Sequence, residues 1–422
     1  MHAFTVAFLI ALCATTAIRV WLALRHVRHV AAHRNAVPAE FAGSMPLAAH
    51  QKAADYTRAK SRLGIVDILV SAVVLLAFTL GGGLQALFEL WARAFAPGGY
   101  AHGIALIFSV AAITGLIDLP FSIYRTFVIE ARFGFNRMTP ALFAADLAKQ
   151  VLLGLAIGTP LLLAVLWLMA KMGSLWWLYV WLTWMGFNLV MLVAYPTLIA
   201  PLFNKFAPLD DPALRDRIER LLASCGFRSK GLFVMDGSRR SSHGNAYFTG
   251  FGKAKRIVFF DTLLSRLAAG EVEAVLAHEL GHFKRHHVWK RIAWLFLGSL
   301  ALLAALGFLI DQPWFYEALG VGPRSTAVAL VLFFMVVPVF TFLLLPIGSF
   351  YSRRHEYEAD AYAARHSSGE DLVHALVKLY QDNATTLTPD PVHSAFYDSH
   401  PPAALRIARL HALARGEVAQ GA

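Results

Sequence analysis

The sequence predicts a mainly α-helical, multi-pass membrane protein in which seven transmembrane helices carry a polar domain containing a small β-sheet. Three observations lead there. The 422 residues are 57% hydrophobic and only 15% charged, with mean hydropathy +0.54, well away from soluble domains. Seven apolar stretches reach the roughly 20 residues a helix needs to cross a bilayer. Basic residues also alternate between rich and poor loops, as they do on the two sides of a membrane.

The stretches lie near 4–24, 66–92, 103–123, 150–170, 176–199, 291–310 and 326–349. The first has no basic segment before it and no small-residue cleavage site after it, so it reads as a retained span. The second contains Gly81, Gly82 and Gly83, and the fifth runs into Pro196 and Pro201. Neighbouring helices can satisfy the backbone at such breaks. Segment 25–63 holds Arg25, Arg28, Arg34, Lys52, Arg58, Lys60 and Arg62, whereas 93–102 has only Arg93. Segment 123–149 carries Arg125, Arg132, Arg137 and Lys149, the next short loop Lys171, and 311–325 only Arg324. Seven spans with a periplasmic N-terminus and a cytoplasmic C-terminus account for this alternation. They also account for the net charge of +11, so nucleic acid is not an expected partner; the lipid bilayer is.

The chain then divides into 1–199 with five spans, 200–290 as the first part of a cytoplasmic domain, 291–349 with two spans, and 350–422 as its second part. Segment 200–290 opens with a helix from Pro212 to Cys225. Three strand-like runs follow, Leu232 to Asp236, Asn245 to Phe251 and Arg256 to Asp261, with Gly237, Gly244, Gly250 and Gly252 as turn material. Segment 350–422 opens with a helix from Ser352 to Arg365 and closes with one from Pro401 to Ala414.

His278-Glu279-Leu280-Gly281-His282 lies in a helical run beginning at Glu271. Residues four apart share a helix face, so His278 and His282 can bind one zinc ion, and Glu279 beside them can act as general base. Cys13 and Cys225 are too few and too distant for a thiolate site. A third ligand must therefore be histidine or carboxylate. Glu356, Glu358 and Asp360 follow the seventh span. Glu356 and Asp360 share a face, so one can bind metal while the other orients a ligand histidine. Glu358 remains a third possibility, and a solvated acidic face balanced by Arg353 and Arg354 is the plain alternative. His400, in Ser399-His-Pro-Pro402, and Arg406 are candidates to stabilise an oxyanion. Asn245 and Ala246 begin a strand that could take up a peptide along its edge. His286 and His287 read as interface residues, and His243, His355, His366 and His393 lack ligand spacing.

Several long motifs occur in one order: Phe127-Val-Ile-Glu-Ala-Arg-Phe-Gly-Phe-Asn136, Ile199-Ala-Pro-Leu-Phe-Asn-Lys-Phe206, Val234 to Gly250, Arg256 to Leu264, the His278 motif, Glu356-Tyr-Glu-Ala-Asp-Ala-Tyr362 and Ser399 to Pro402. With them the chain resembles the type I CAAX prenyl endopeptidases, seven-span membrane zinc metalloproteases. The resemblance covers most of the chain. It implies Glu356 as the third ligand of a single Zn2+ and Asp360 as the group behind a ligand histidine. It puts His400 and Arg406 near the catalytic centre and implies that the spans enclose a chamber. The expected function is membrane-embedded zinc endopeptidase activity on a peptide or protein substrate, C-terminal or membrane-associated. The short loop between the sixth and seventh spans, and a final Ala-Gln-Gly-Ala without a retrieval signal, suit a bacterial inner-membrane member acting in membrane-protein or peptide quality control. The competing expectation is a non-catalytic scaffold or transporter with a relic metal site.

Overall fold

In the computed structural model, which describes residues 2–249, 254–415 and 417, seven helices are long and apolar enough to cross a membrane. They are Ala3–Ala32, Leu47–Phe78, Tyr100–Glu130, Pro140–Lys171, Gly173–Phe203, His287–Leu309 and Thr326–His366. Closing every backbone hydrogen bond inside the segment is what suits a helix to hydrocarbon. The helices outrun their apolar cores. The first continues through Arg25 and Arg28, and the last continues past Phe350 to carry Glu356 and Asp360.

The second span departs from the sequence reading of 66–92. It begins at Leu47, so Lys52, Arg58, Lys60 and Arg62 lie on the helix and not in a loop, and it ends at Phe78. Its end is made by the glycines: Gly82 adopts φ +75°. A Cβ on Gly81 or Gly83 would sit 2.8 or 2.7 Å from the Ala77 carbonyl oxygen. Only glycine allows so tight a reversal, and a separate short helix, Gly83–Ala92, follows.

Between the fifth and sixth spans lies a four-stranded sheet: β1 (Phe206–Pro208), β2 (Arg228–Met235), β3 (Ala246–Thr249) and β4 (Ala254–Phe260), in the order β1-β2-β4-β3. β1 and β3 run antiparallel to their neighbours while β2 and β4 are parallel. β3 is therefore an edge strand. Gly250, Phe251 and Gly252, read as strand end and turn, lie outside the described residues, as do the final Ala-Gln-Gly-Ala residues.

The sheet shares one hydrophobic core with four helices: Pro212–Ser224, which packs on β2, the motif helix Ala269–Lys284, Gly369–Asp382 and Ala403–Ala414. Leu232, Ile257, Ile218, Leu276, Leu376 and Ile407 are buried together at their junction. Helix starts are fixed by side-chain caps: Asp211 accepts from Leu214 N–H at 3.0 Å and Ser368 from Asp371 N–H at 3.0 Å. Two ion pairs bind the lobe to the spans. Arg25 of the first span reaches buried Asp390 at 2.9 Å, and Arg240 makes 2.8 and 3.0 Å bonds to Asp146 of the fourth.

Candidate active site

The motif helix and the end of the seventh span cross where each lacks bulk. A Cβ on Gly281 would lie 3.0 Å from Ala359 Cα and 3.0 Å from Tyr362 Cβ. The glycine inside the motif is thus a contact point that lets the two helices approach, and the approach brings their side chains together. His278 Nε2 lies 3.2 Å from His282 Nε2 and 3.5 Å from Glu356 Oε2, and His282 Nε2 is 3.3 Å from Glu356 Oε1. One ligand atom from each of the three falls within 4.8 Å of the others. Glu356 Oε2 is buried without a well-directed hydrogen bond, although His400 Nδ1 is 2.7 Å away. Two imidazoles and a carboxylate converging with an unsatisfied lone pair fit a small divalent cation better than they fit each other.

The groups behind the cluster distinguish the three acids that spacing alone left open. Asp360 turns away from the cluster to His278 Nδ1, at 2.8 Å. It also accepts from Arg406 Nε at 2.9 Å and Nη2 at 2.6 Å. Burial disfavours the imidazolium of His278, but bonds to Asp360 and Glu356 outweigh it and hold its pKa up at about 9. Arg406 is also buried, yet Asp360 keeps it charged and lifts its pKa above the usual range. Glu358 faces the other way, 3.0 Å from His287 Nε2.

His287, expected where a helix meets the membrane interface, is the first residue of the sixth span and is also part of the support. His286 adopts a left-handed φ of +58°, which ends the motif helix and starts the sixth span. The kink returns the buried ring of His287 to within 3.0 Å of His282 Nδ1. His282, His287 and Glu358 thus form a relay that orients the second histidine. No periodicity in the sequence signals it, because the helix breaks between the two histidines.

A cavity of about 500 Å³ opens over the cluster, lined among others by His278, Glu279, Glu356, Tyr380, His400 and Arg406. Glu279 is half-buried at its wall. His400 is exposed at the rim, on a loop fastened by Arg353, whose Nη1 donates to the carbonyls of Ser394 and Asp398 at 3.0 and 2.9 Å. Asn245 and Ala246 line the same cavity at the start of the edge strand. Of the ten residues singled out from sequence, nine are therefore at or directly behind one cavity, and Glu358 is not.

Fold and site define a membrane-embedded metalloendopeptidase. Residues 26–205 match the family described as CAAX prenyl protease N-terminal, five membrane helices, and residues 208–414 match Peptidase family M48. The chain belongs to peptidase family M48. It is 39% identical to the CAAX prenyl protease 1 homolog of Arabidopsis thaliana over 72% of each chain. To the Caenorhabditis elegans homolog it is 33% identical over 91% of this chain and 93% of the other. The crystal structure of S. mikatae Ste24p superposes with a TM-score of 0.89 at 29% identity, covering 97% of this chain and 99% of that one.

Proposed function

We propose that the protein is a zinc endopeptidase holding one Zn2+ on His278, His282 and Glu356. The observation that carries the reading is the convergence of these three ligand atoms in a cavity shared with Glu279 and a sheet edge. Zinc there would supply Lewis-acid activation of water and of the scissile carbonyl. Glu279 takes the proton from the attacking water and returns it to the leaving amine. His400, at the rim, donates to the developing oxyanion. Arg406 is committed to Asp360 by two bonds, which favours a role in fixing Asp360 and lending positive field over the direct oxyanion contact expected from sequence. Asn245 and Ala246 on the β3 edge take the peptide as an added strand.

The reading divides the chain into membrane regions 1–199 and 291–349 and a split protease domain, 200–290 with 350–422. Basic residues favour a cytoplasmic face for that domain and a periplasmic N-terminus, in a bacterial inner membrane. Both ligand-bearing helices lead into spans, which supports a membrane-associated substrate cut near its C-terminus, within a chamber between the spans. Relatives named CAAX prenyl proteases favour such a peptide; quality control is the proposed setting.

Glu279→Gln should lower kcat on a reporter peptide about 10²- to 10⁴-fold while zinc content stays at the wild-type value. Full activity in a zinc-loaded Gln variant would contradict the mechanism. A relic-site scaffold or transporter, by contrast, predicts no chelator-sensitive cleavage from the wild-type protein.

A further inference from the structure

Two of the long sequence motifs, Phe127 to Asn136 and Val234 to Gly250, contain residues that the chemistry above does not use, and the structure stitches these motifs together. Asn136 pairs as an isolated antiparallel bridge with Ser241, Ser242 N–H donates to Phe135 O at 3.2 Å, and the Phe135 ring stacks on His243 at 4.5 Å. His243 Nε2 lies 3.4 Å from Glu130 Oε2, and buried Tyr56 donates its hydroxyl to the other oxygen of Glu130. On its opposite side His243 Nδ1 is 3.1 Å from Asn383 Oδ1, which also accepts the Gly244 N–H at 3.2 Å. That shared acceptor assigns the Nδ1 proton to His243.

Asn383 ends the helix Gly369–Asp382, and the next residue, Ala384, is buried with a left-handed φ of +44°. A side chain rarely adopts this conformation unless packing imposes it. Here Ala384 lies in a small core with Ala53, Tyr56, Ile129 and Phe135. The second span, the end of the third, and the C-terminal half of the lobe therefore meet behind one short loop. Its residues Gly244, Asn245 and Ala246 line the catalytic cavity together with Asn383.

We propose that Asn383, backed by His243 and Glu130, is a positioning residue: it fixes the Gly244–Asn245–Ala246 edge so that an extended peptide meets preformed main-chain partners. This rests on the peptidase reading, and it concerns substrate binding, not bond cleavage. Asn383→Leu removes the accepting oxygen at similar size, whereas Asn383→Asp keeps it. With a reporter peptide, Asn383→Leu should raise KM roughly tenfold with kcat within about twofold of wild type. Asn383→Asp should return KM to within about twofold. Zinc stoichiometry should be unchanged in both, which also reports that the lobe has folded. Should the Leu variant not fold, Tyr56→Phe, which frees Glu130 two contacts away, should raise KM by about threefold. Wild-type KM in a folded Asn383→Leu variant, or in Tyr56→Phe where the Leu variant does not fold, would overturn the proposal, as would an Asp variant as impaired as the Leu one. Failure of the peptidase reading itself would show differently, as undiminished turnover in Glu279→Gln.

Discussion

The carboxylate of Asp360 illustrates how the site is held at the level of single residues. It carries no substrate or metal in this reading, yet it is 1% exposed, faces His278 Nδ1 and is pinned by two bonds from Arg406. A full charge there raises the basicity of the ligand histidine and fixes its ring. Asp360→Asn keeps the size and removes the charge, so zinc affinity should fall about 10- to 100-fold in competition with a zinc-binding dye. Equal affinity would show that Asp360 is only packing. Sequence spacing identified Glu356 and Asp360 as a pair on one face but could not rank them. The family resemblance ranked them, with Glu356 on the metal, and the structure adds the partner of Asp360 in Arg406, 46 residues further along. His287 was beyond sequence reasoning for a related cause: the left-handed His286 turns its ring back, and no helical period runs through that break.

Between elements, the decisive contact is the crossing of the motif helix with the helix that bears Glu356. Gly281 makes it possible, because the nearest atoms to an added methyl group include the backbone of Ala359 and not only flexible side chains. Gly281→Ala should therefore push the helices apart by a few tenths of an ångström. Overpacking of this kind costs about 1–3 kcal/mol, despite the gain in helix propensity from alanine. Thermal unfolding and zinc retention check it: a lowered midpoint and weaker zinc binding are expected, while a raised midpoint with wild-type zinc binding would contradict the contact. The motif helix was readable from sequence as a helical run beginning at Glu271. The second span was misplaced because apolar residues continue through Gly81–Gly83 into Leu84 and Leu87, so hydropathy alone hides the reversal. β1 was missed because three residues ending in Pro208 have no strand signature without the partner β2.

At the scale of the whole molecule, residues from the proposed protease segments 200–290 and 350–422 line one cavity, with spans before and between them. Seven spans were legible because the bilayer imposes length and polarity on each one. The closure was not, since it depends on pairs such as Arg25 with Asp390 and Arg240 with Asp146, separated by 365 and 94 residues. Such pairs have no local pattern. The same holds for the Tyr56–Glu130–His243–Asn383 chain, which joins four segments behind the edge strand. The proposed activity depends on both segments contributing ligands to one metal. Metal analysis of the purified full-length protein, beside Glu356→Ala, tests this most directly. One zinc per wild-type chain and almost none in the variant are expected, with peptide cleavage lost in parallel. Zinc retained at wild-type stoichiometry without Glu356 would contradict it.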